Sequence, residues 1–336
     1  MDPGYVIAIG LAFAFAATNG LHDASNAIAT LVATRAATPA QAIVIAAVFN
    51  MLGPLLLGAA VADTIGGIVT VSPSEAAAVI GSGLAGAVTW NMITWWLGLP
   101  SSSGHALIGG LVGAALAEGG LDAVFWGGMD GLHPVGVFGA MIALATTPPL
   151  GALGGLLVIR WFRRSGRRAT RRWREPTRAG QWVMSSALAF SHGANDAQKT
   201  VGVIAALMLA AGSIDTLSAP TWAVALSALA LTAGTTLGGW RIIRTVGRRI
   251  YRIQPVEGLA SQTASSAIIF GASLVGGPTA TTQVVASSIV GIGAGRRRIH
   301  HVRWQVVRQI GIAWLITIPA AALLSIAIFG LWQAIA

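Results

Sequence analysis

Long apolar segments separated by short polar stretches make up most of this chain. They run over residues 5–34, 40–60, 76–98, 100–116, 134–159, 181–210, 220–240, 256–275, 279–295 and 304–330. About 20 apolar residues suffice for a helix to cross a bilayer. The pattern therefore predicts an all-α polytopic membrane protein with five hydrophobic segments on each side of a basic stretch. Segments 5–34 and 181–210 exceed one upright span and must either tilt steeply or break. Gly20 and Gly193, each among polar neighbours, mark where a break would expose backbone groups to a ligand. Asp23 and Asp196 lie within these same segments, and a carboxylate at such depth faces a partner, an ion or a water-filled path.

Composition agrees with the pattern. Of 336 residues, 54% are hydrophobic and 10% charged, against about 25% charged in soluble domains. The formal net charge of +10 at first suggests nucleic acid, but its distribution argues otherwise. Nine arginines lie between Arg160 and Arg178, five between Arg241 and Arg252, and five between Arg296 and Arg308. Basic loops between apolar segments mark the cytoplasmic side, and anionic lipid headgroups are their expected partners. Cysteine is absent, which excludes disulfides and thiolate chemistry. The N-terminus lacks the basic region of a cleaved signal, so residues 5–17 are expected to open the first span.

Charge then orients the segments. With Arg35 and the Arg160–Arg178 stretch inside, Asp2, Asp63, Glu75, Glu118, Asp122, Asp130 and Asp215 fall outside. Each half follows the order long span, span, hairpin, span, one half starting outside and the other inside. The expected architecture is two inverted-topology repeats with broken helices and helical hairpins: residues 1–159, a basic cytoplasmic linker at 160–180, and residues 181–336. The N-terminus lies outside, in a cell membrane that is expected to be a bacterial plasma membrane.

Two pairs of matching stretches support the repeat. Thr18-Asn-Gly-Leu-His-Asp-Ala-Ser-Asn26 aligns with Ser191-His-Gly-Ala-Asn-Asp-Ala-Gln-Lys199 at an offset of 173, placing Asp23 on Asp196, His22 on Asn195 and Asn26 on Lys199. Pro100-Ser-Ser-Ser-Gly-His105 aligns with Pro278-Thr-Ala-Thr-Thr-Gln283 at an offset of 178. Pro followed by hydroxyl residues can open and cap a helix whose N-terminus points into the protein.

Such helix N-termini suit an oxyanion. Ser101, Ser102, Ser103, Thr281 and Thr282, with the amides of Asn26 and Asn195, can supply the directional hydrogen bonds of a tetrahedral anion. Asp23 and Asp196 repel a bare anion but bind Na⁺ or a proton, so that each charge makes burial of the other less costly. His22, His105 and His192 are candidates for a proton relay, against the plainer alternative of interhelical hydrogen bonds. Lys199, the only lysine, is expected to contact the anion or pair with Asp196. No metal-ligand cluster is evident from spacing, and His300-His301 belong to a basic loop. No phosphate-cradling GxxxxGK[ST] loop implies ATP. Trp90, Trp95, Trp96, Trp126, Trp161, Trp240, Trp304 and Trp332 sit near segment ends as interfacial anchors.

These four stretches resemble the inorganic phosphate transporter (Pit) family, whose members carry a paired Gly-Ala-Asn-Asp-type signature, and the resemblance spans essentially the whole chain. It implies a symporter taking up inorganic phosphate coupled to H⁺ or Na⁺, with a central site at the paired signatures and a homodimeric assembly. It implies no further cofactor and no catalytic residue. On this resemblance Asn26, Ser101, Ser102, Ser103, Asn195, Lys199, Thr281 and Thr282 bind substrate. Asp23 and Asp196 hold the coupling ion and are metal ligands if that ion is Na⁺. Phosphate enters either free or as a metal-phosphate complex. Gln283, where the family commonly has His, and Gly104, where a hydroxyl is common, leave another oxyanion such as sulfate as an alternative substrate. An anion channel is the alternative mode, and a sensor, a scaffold or an enzyme finds no supporting feature.

Overall fold

Asp2 starts the first helix by accepting a hydrogen bond from Gly4 N at 2.8 Å, with Pro3 at the first helical position, where its missing N–H costs nothing. In the computed structural model, which describes residues 2–57, 60–130, 133–165, 174–251, 253–296 and 299–335, helix α1 then runs unbroken over Pro3–Ala33. It is followed by α2 (Pro39–Leu57), α3 (Ala60–Gly66), α4 (Pro73–Leu97), α5 (Ser103–Gly119) and α6 (Gly136–Ser165). The second half comprises α7 (Arg174–Ala210), α8 (Thr221–Leu237), α9 (Trp240–Arg244), α10 (Pro255–Leu274), α11 (Thr281–Gly295) and α12 (Trp304–Ile335). A short antiparallel hairpin, β1 (Gly128–Asp130) with β2 (His133–Val135), precedes α6. Among the described residues, six helices are long and apolar enough to cross a membrane, or seven if the α8–α9 pair, bent by 63°, counts as one span. Helices α7, α10 and α11 are not among them.

The expectation of a break at Gly20 or Gly193 is corrected. Both α1 and α7 pass through their glycines without interruption. What glycine permits there is contact between helices. A Cβ on Gly20 would lie 2.0 Å from Leu231 O, and one on Gly234 would lie 1.9 Å from Ala17 O, so α1 and α8 touch backbone to backbone from both sides. Gly193 and Gly53 do the same for α7 and α2, at 2.2 Å from Asn50 O and Phe190 O. Small residues at helix crossings are the usual means of close approach in lipid, where apolar burial gives no advantage over the lipid tails. A break falls instead at Gly238–Gly239, where Gly238 takes φ +70°.

These crossings exchange helices between the halves. Helix α1 packs on α8 while α7 packs on α2; α5 packs on α12 while α11 packs on α6. Within each half the hairpin helices pack together, α4 on α5 and α10 on α11, and each hairpin also meets the long helix of its own half. Residues 160–165 prolong α6 and residues 174–180 open α7, while the centre of the expected linker, 166–173, lies outside the described residues.

Candidate functional site

Helical geometry gathers the polar residues of α1 onto one face, because Asn19, His22, Asp23 and Asn26 follow the i, i+3, i+4, i+7 spacing. His192, Asn195, Asp196 and Lys199 repeat it on α7. All eight side chains are buried. The hairpin turns deliver the other components: Ser103 is the first residue of α5, and Thr281 the first of α11. Both helices therefore begin at the polar faces of α1 and α7, with their unpaired N–H ends directed at this region.

Around Asp23 the donors come from both halves. Ser103 Oγ lies 3.0 Å from Asp23 Oδ2 and 2.8 Å from Asn19 Oδ1, and Thr282 Oγ1 donates to Asp23 Oδ1 at 2.5 Å. Asn26 Nδ2 donates to Thr281 and Thr282 Oγ1 at 3.0 and 3.1 Å. His22 Nδ1 lies 3.2 Å from Asp23 Oδ1, while its Nε2 is 3.1 Å from Ser101 Oγ and 3.3 Å from Thr94 Oγ1.

Asp196 has a different complement. Thr281 Oγ1 donates to its Oδ2 at 3.3 Å, as Ser103 does to Asp23. Lys199 Nζ pairs with Oδ1 and donates to Thr279 O at 2.7 Å. His192 Nε2 lies 2.7 Å from Oδ2. Asn195 holds the second hairpin turn: its Oδ1 accepts from Thr279 N and Oγ1 at 3.0 and 2.9 Å, and its Nδ2 donates to Ser273 Oγ and Gly277 O at 2.9 and 3.1 Å.

The fold thus brings Asp23, Asp196, Asn26, Ser103, Thr281, Thr282, His192 and Lys199 together. Ser101 donates to Thr94 Oγ1 at 2.9 Å beside its contact with His22, and Ser102 caps α5 by accepting from His105 N at 3.3 Å. His105 Nδ1 has no hydrogen-bond partner among the described residues, and its counterpart Gln283 accepts from Thr147 Oγ1 at 3.3 Å. Sequence spacing showed no metal-ligand cluster, yet tertiary packing makes one: a ligand atom from each of Asp23, His192 and Asp196 lies within 4.8 Å of the others. His192 and Asp196 are four residues apart on α7, but Asp23 lies on α1 in the other half of the chain, so spacing alone had no means to add it to them. His300 and His301 stack on each other, away from any such group.

Some supporting residues were not singled out from the sequence. Asn50 of α2 accepts at Oδ1 from His192 Nδ1 at 3.0 Å and donates from Nδ2 to Thr235 Oγ1 of α8 at 3.0 Å. Thr94 and Ser273 brace His22 and Asn195 in turn. A lone polar residue such as Asn50 inside an apolar span was the signal available.

The cluster is closed off by its own hydrogen bonds, but a cavity of about 660 Å³ reaches the turn that carries it. Asp63, Thr64, Phe125, Ile142, Gly277 and Pro278 are among its lining residues, and Thr64 Oγ1 donates to Gly276 O at 3.0 Å. Partial burial pushes the Asp63 carboxyl above its ordinary value. The cavity and the cluster meet at Gly277, whose carbonyl takes the Asn195 amide.

The chain as a whole resembles known proteins. The chain is 41% identical over 328 residues to a protein of Rhizobium meliloti described as a probable low-affinity inorganic phosphate transporter, covering 95% of this chain and 93% of the relative. It is 37% identical over 321 residues to one from Bacillus subtilis with the same description, covering 95% and 94%. A solved structure described as the sodium-dependent phosphate transporter shares the fold, with a TM-score of 0.86 at 24% identity over 99% of this chain and 100% of that one. The profile of the phosphate transporter family matches twice, over residues 19–174 and 164–325, so each half carries one copy of the family's pattern. The chain belongs to the phosphate transporter family.

Proposed function

We propose that this chain is a symporter that takes up inorganic phosphate, coupled to H⁺ or Na⁺, across a bacterial plasma membrane. The observation that carries this reading is the convergence of two helix N-termini and two buried carboxylates from repeat-equivalent positions. Phosphate would sit between the ends of α5 and α11, with Asn26, Ser103, Thr281 and Thr282 as donors and the helix ends offsetting its charge. Asn195, Ser101 and Ser102 would support that site by holding the two hairpin turns. Asp23 and Asp196 would carry the coupling cation, because an anion beside two carboxylates requires positive charge to be carried with it. His22, His105 and His192 are the relay candidates if the cation is a proton.

The two halves would lie in opposite senses in the membrane, with the N-terminus outside and the basic residues around 160–180 inside, as charge asymmetry directs. Exchange of hairpin contacts between the halves would then open the site to one side at a time. On this topology the 660 Å³ cavity beside Asp63 is the outer approach. Substrate as free phosphate or as a metal-phosphate complex, and a homodimeric assembly, complete the reading, and the names and fold of the relatives support it.

The test is counterflow of labelled phosphate in proteoliposomes with Na⁺ and pH gradients imposed separately and sulfate as competitor. Saturable phosphate exchange that responds to one gradient is expected. Flux that neither saturates nor responds to a cation would replace the symporter with a channel, and inhibition by sulfate at equal concentration would change the substrate.

A further inference from the structure

The two half-sites are built on one plan, and two of the positions at which they differ touch each other. Offsets of 173 and 178 make Asn26 equivalent to Lys199 and Thr282 equivalent to Gly104. Around Asp23, Asn26 and Thr282 are neutral and bonded to each other, and Thr282 donates to the carboxylate. Around Asp196 the residue in the place of Thr282 has no side chain. A Cβ on Gly104 would lie 3.4 Å from Lys199 Nζ and 3.8 Å from its Cε, so the end of the lysine fills the space left by the missing hydroxyl. The lysine is 1% exposed and is the only one in the chain.

We propose that Lys199 is a tethered cation that permanently occupies the half-site of Asp196, leaving Asp23 as the one carboxylate of the pair that exchanges a mobile cation. The proposal rests on the cation-coupled reading above. Nζ is held by a carboxylate oxygen and the Thr279 carbonyl, both hard oxygen donors of the kind a small cation takes, and an ammonium is a compact charge suited to that place. Asp23 is equally buried, at 2% exposure, but its only ionisable neighbour within ion-pair distance among the described residues is His22. One carboxylate is thus neutralised from within the chain while the other needs charge from outside.

The test restores the symmetry. In proteoliposomes at zero membrane potential, the phosphate accumulation ratio is measured against imposed Na⁺ and pH gradients, and the summed slopes give the number of coupled cations. The double variant Lys199→Asn/Gly104→Thr is expected to gain one cation over the unmodified protein. For a tenfold gradient of that cation the phosphate ratio then rises about tenfold further, since the gradient contributes once more. An unchanged slope, or loss of coupling in a folded double variant, overturns the proposal.

A second variant, Asp196→Asn/Lys199→Gln, removes the carboxylate together with the ammonium, and a slope that rises by one cation there as well overturns the proposal, because no carboxylate is left at that half-site to hold it. Absence of phosphate counterflow in the unmodified protein would instead reject the transport reading itself.

Discussion

Asp23 and Asp196 are buried to the same extent, yet charge is balanced differently around them, and single substitutions should separate them. Asp23→Asn keeps the hydroxyl and amide contacts of its surroundings while removing the charge. The protein should melt within a few degrees of the unmodified one and show no coupled phosphate accumulation; full accumulation would sink the role of Asp23. Lys199→Met is of another kind. It leaves the Asp196 carboxylate buried without its ammonium, a loss of about 3–5 kcal/mol in such pairs, and Asp196→Asn in the same chain should recover most of it. Thermal melts of the two single variants and the pair measure that coupling. Asn50→Leu should cost about 1–3 kcal/mol, because His192 Nδ1 and Thr235 Oγ1 both lose a buried partner. A melting temperature that did not move would mean that Asn50 is not bracing His192.

At the level of single helices, the sequence shows where polar faces lie but is ambiguous about glycine. Gly20 reads equally well as a break or as a contact point, and its local neighbours do not decide between them. Leu231 O, which would be 2.0 Å from a Cβ there, belongs to a helix more than 200 residues later. Gly10 on the same helix has nothing within 4 Å of such an atom. Gly20→Ala should therefore destabilise by at least the ~1–3 kcal/mol typical of overpacking, since backbone cannot yield as a side chain would. Gly10→Ala should be neutral or stabilising by up to about 1 kcal/mol through helix propensity. Equal effects of the two substitutions in a melting assay would contradict the crossing geometry.

Over the whole molecule, the repeat was legible from Asp23 with Asp196 and from Pro100 with Pro278, because each pair lies in a segment with its own polar signature. The exchange of helices was not. Nothing in α2 or α8 announces that each packs on the long helix of the other half, since Gly53 and Gly234 are ordinary glycines until their partners are known. Orientation in the membrane offers a direct test, and the absence of cysteine makes it clean. Cysteine placed at Arg35, after the long helix of the first half, should react with an impermeant thiol reagent only from the cytoplasmic face, and cysteine at Asp215, after the long helix of the second half, only from the outer face. Labelling of both from one side would end the inverted arrangement.

The sequence by itself determined the class of the protein, its two signatures and the residues of its polar faces, because hydrophobic length, charge placement and helical spacing are local properties. Tertiary structure decided what those residues do for one another. It set Thr282 against Asp23, drew His192 and the two carboxylates within 4.8 Å, and seated Lys199 in the space that Gly104 leaves open. Each of these contacts joins helices distant in the chain, and their geometry follows from backbone crossings that no local pattern encodes.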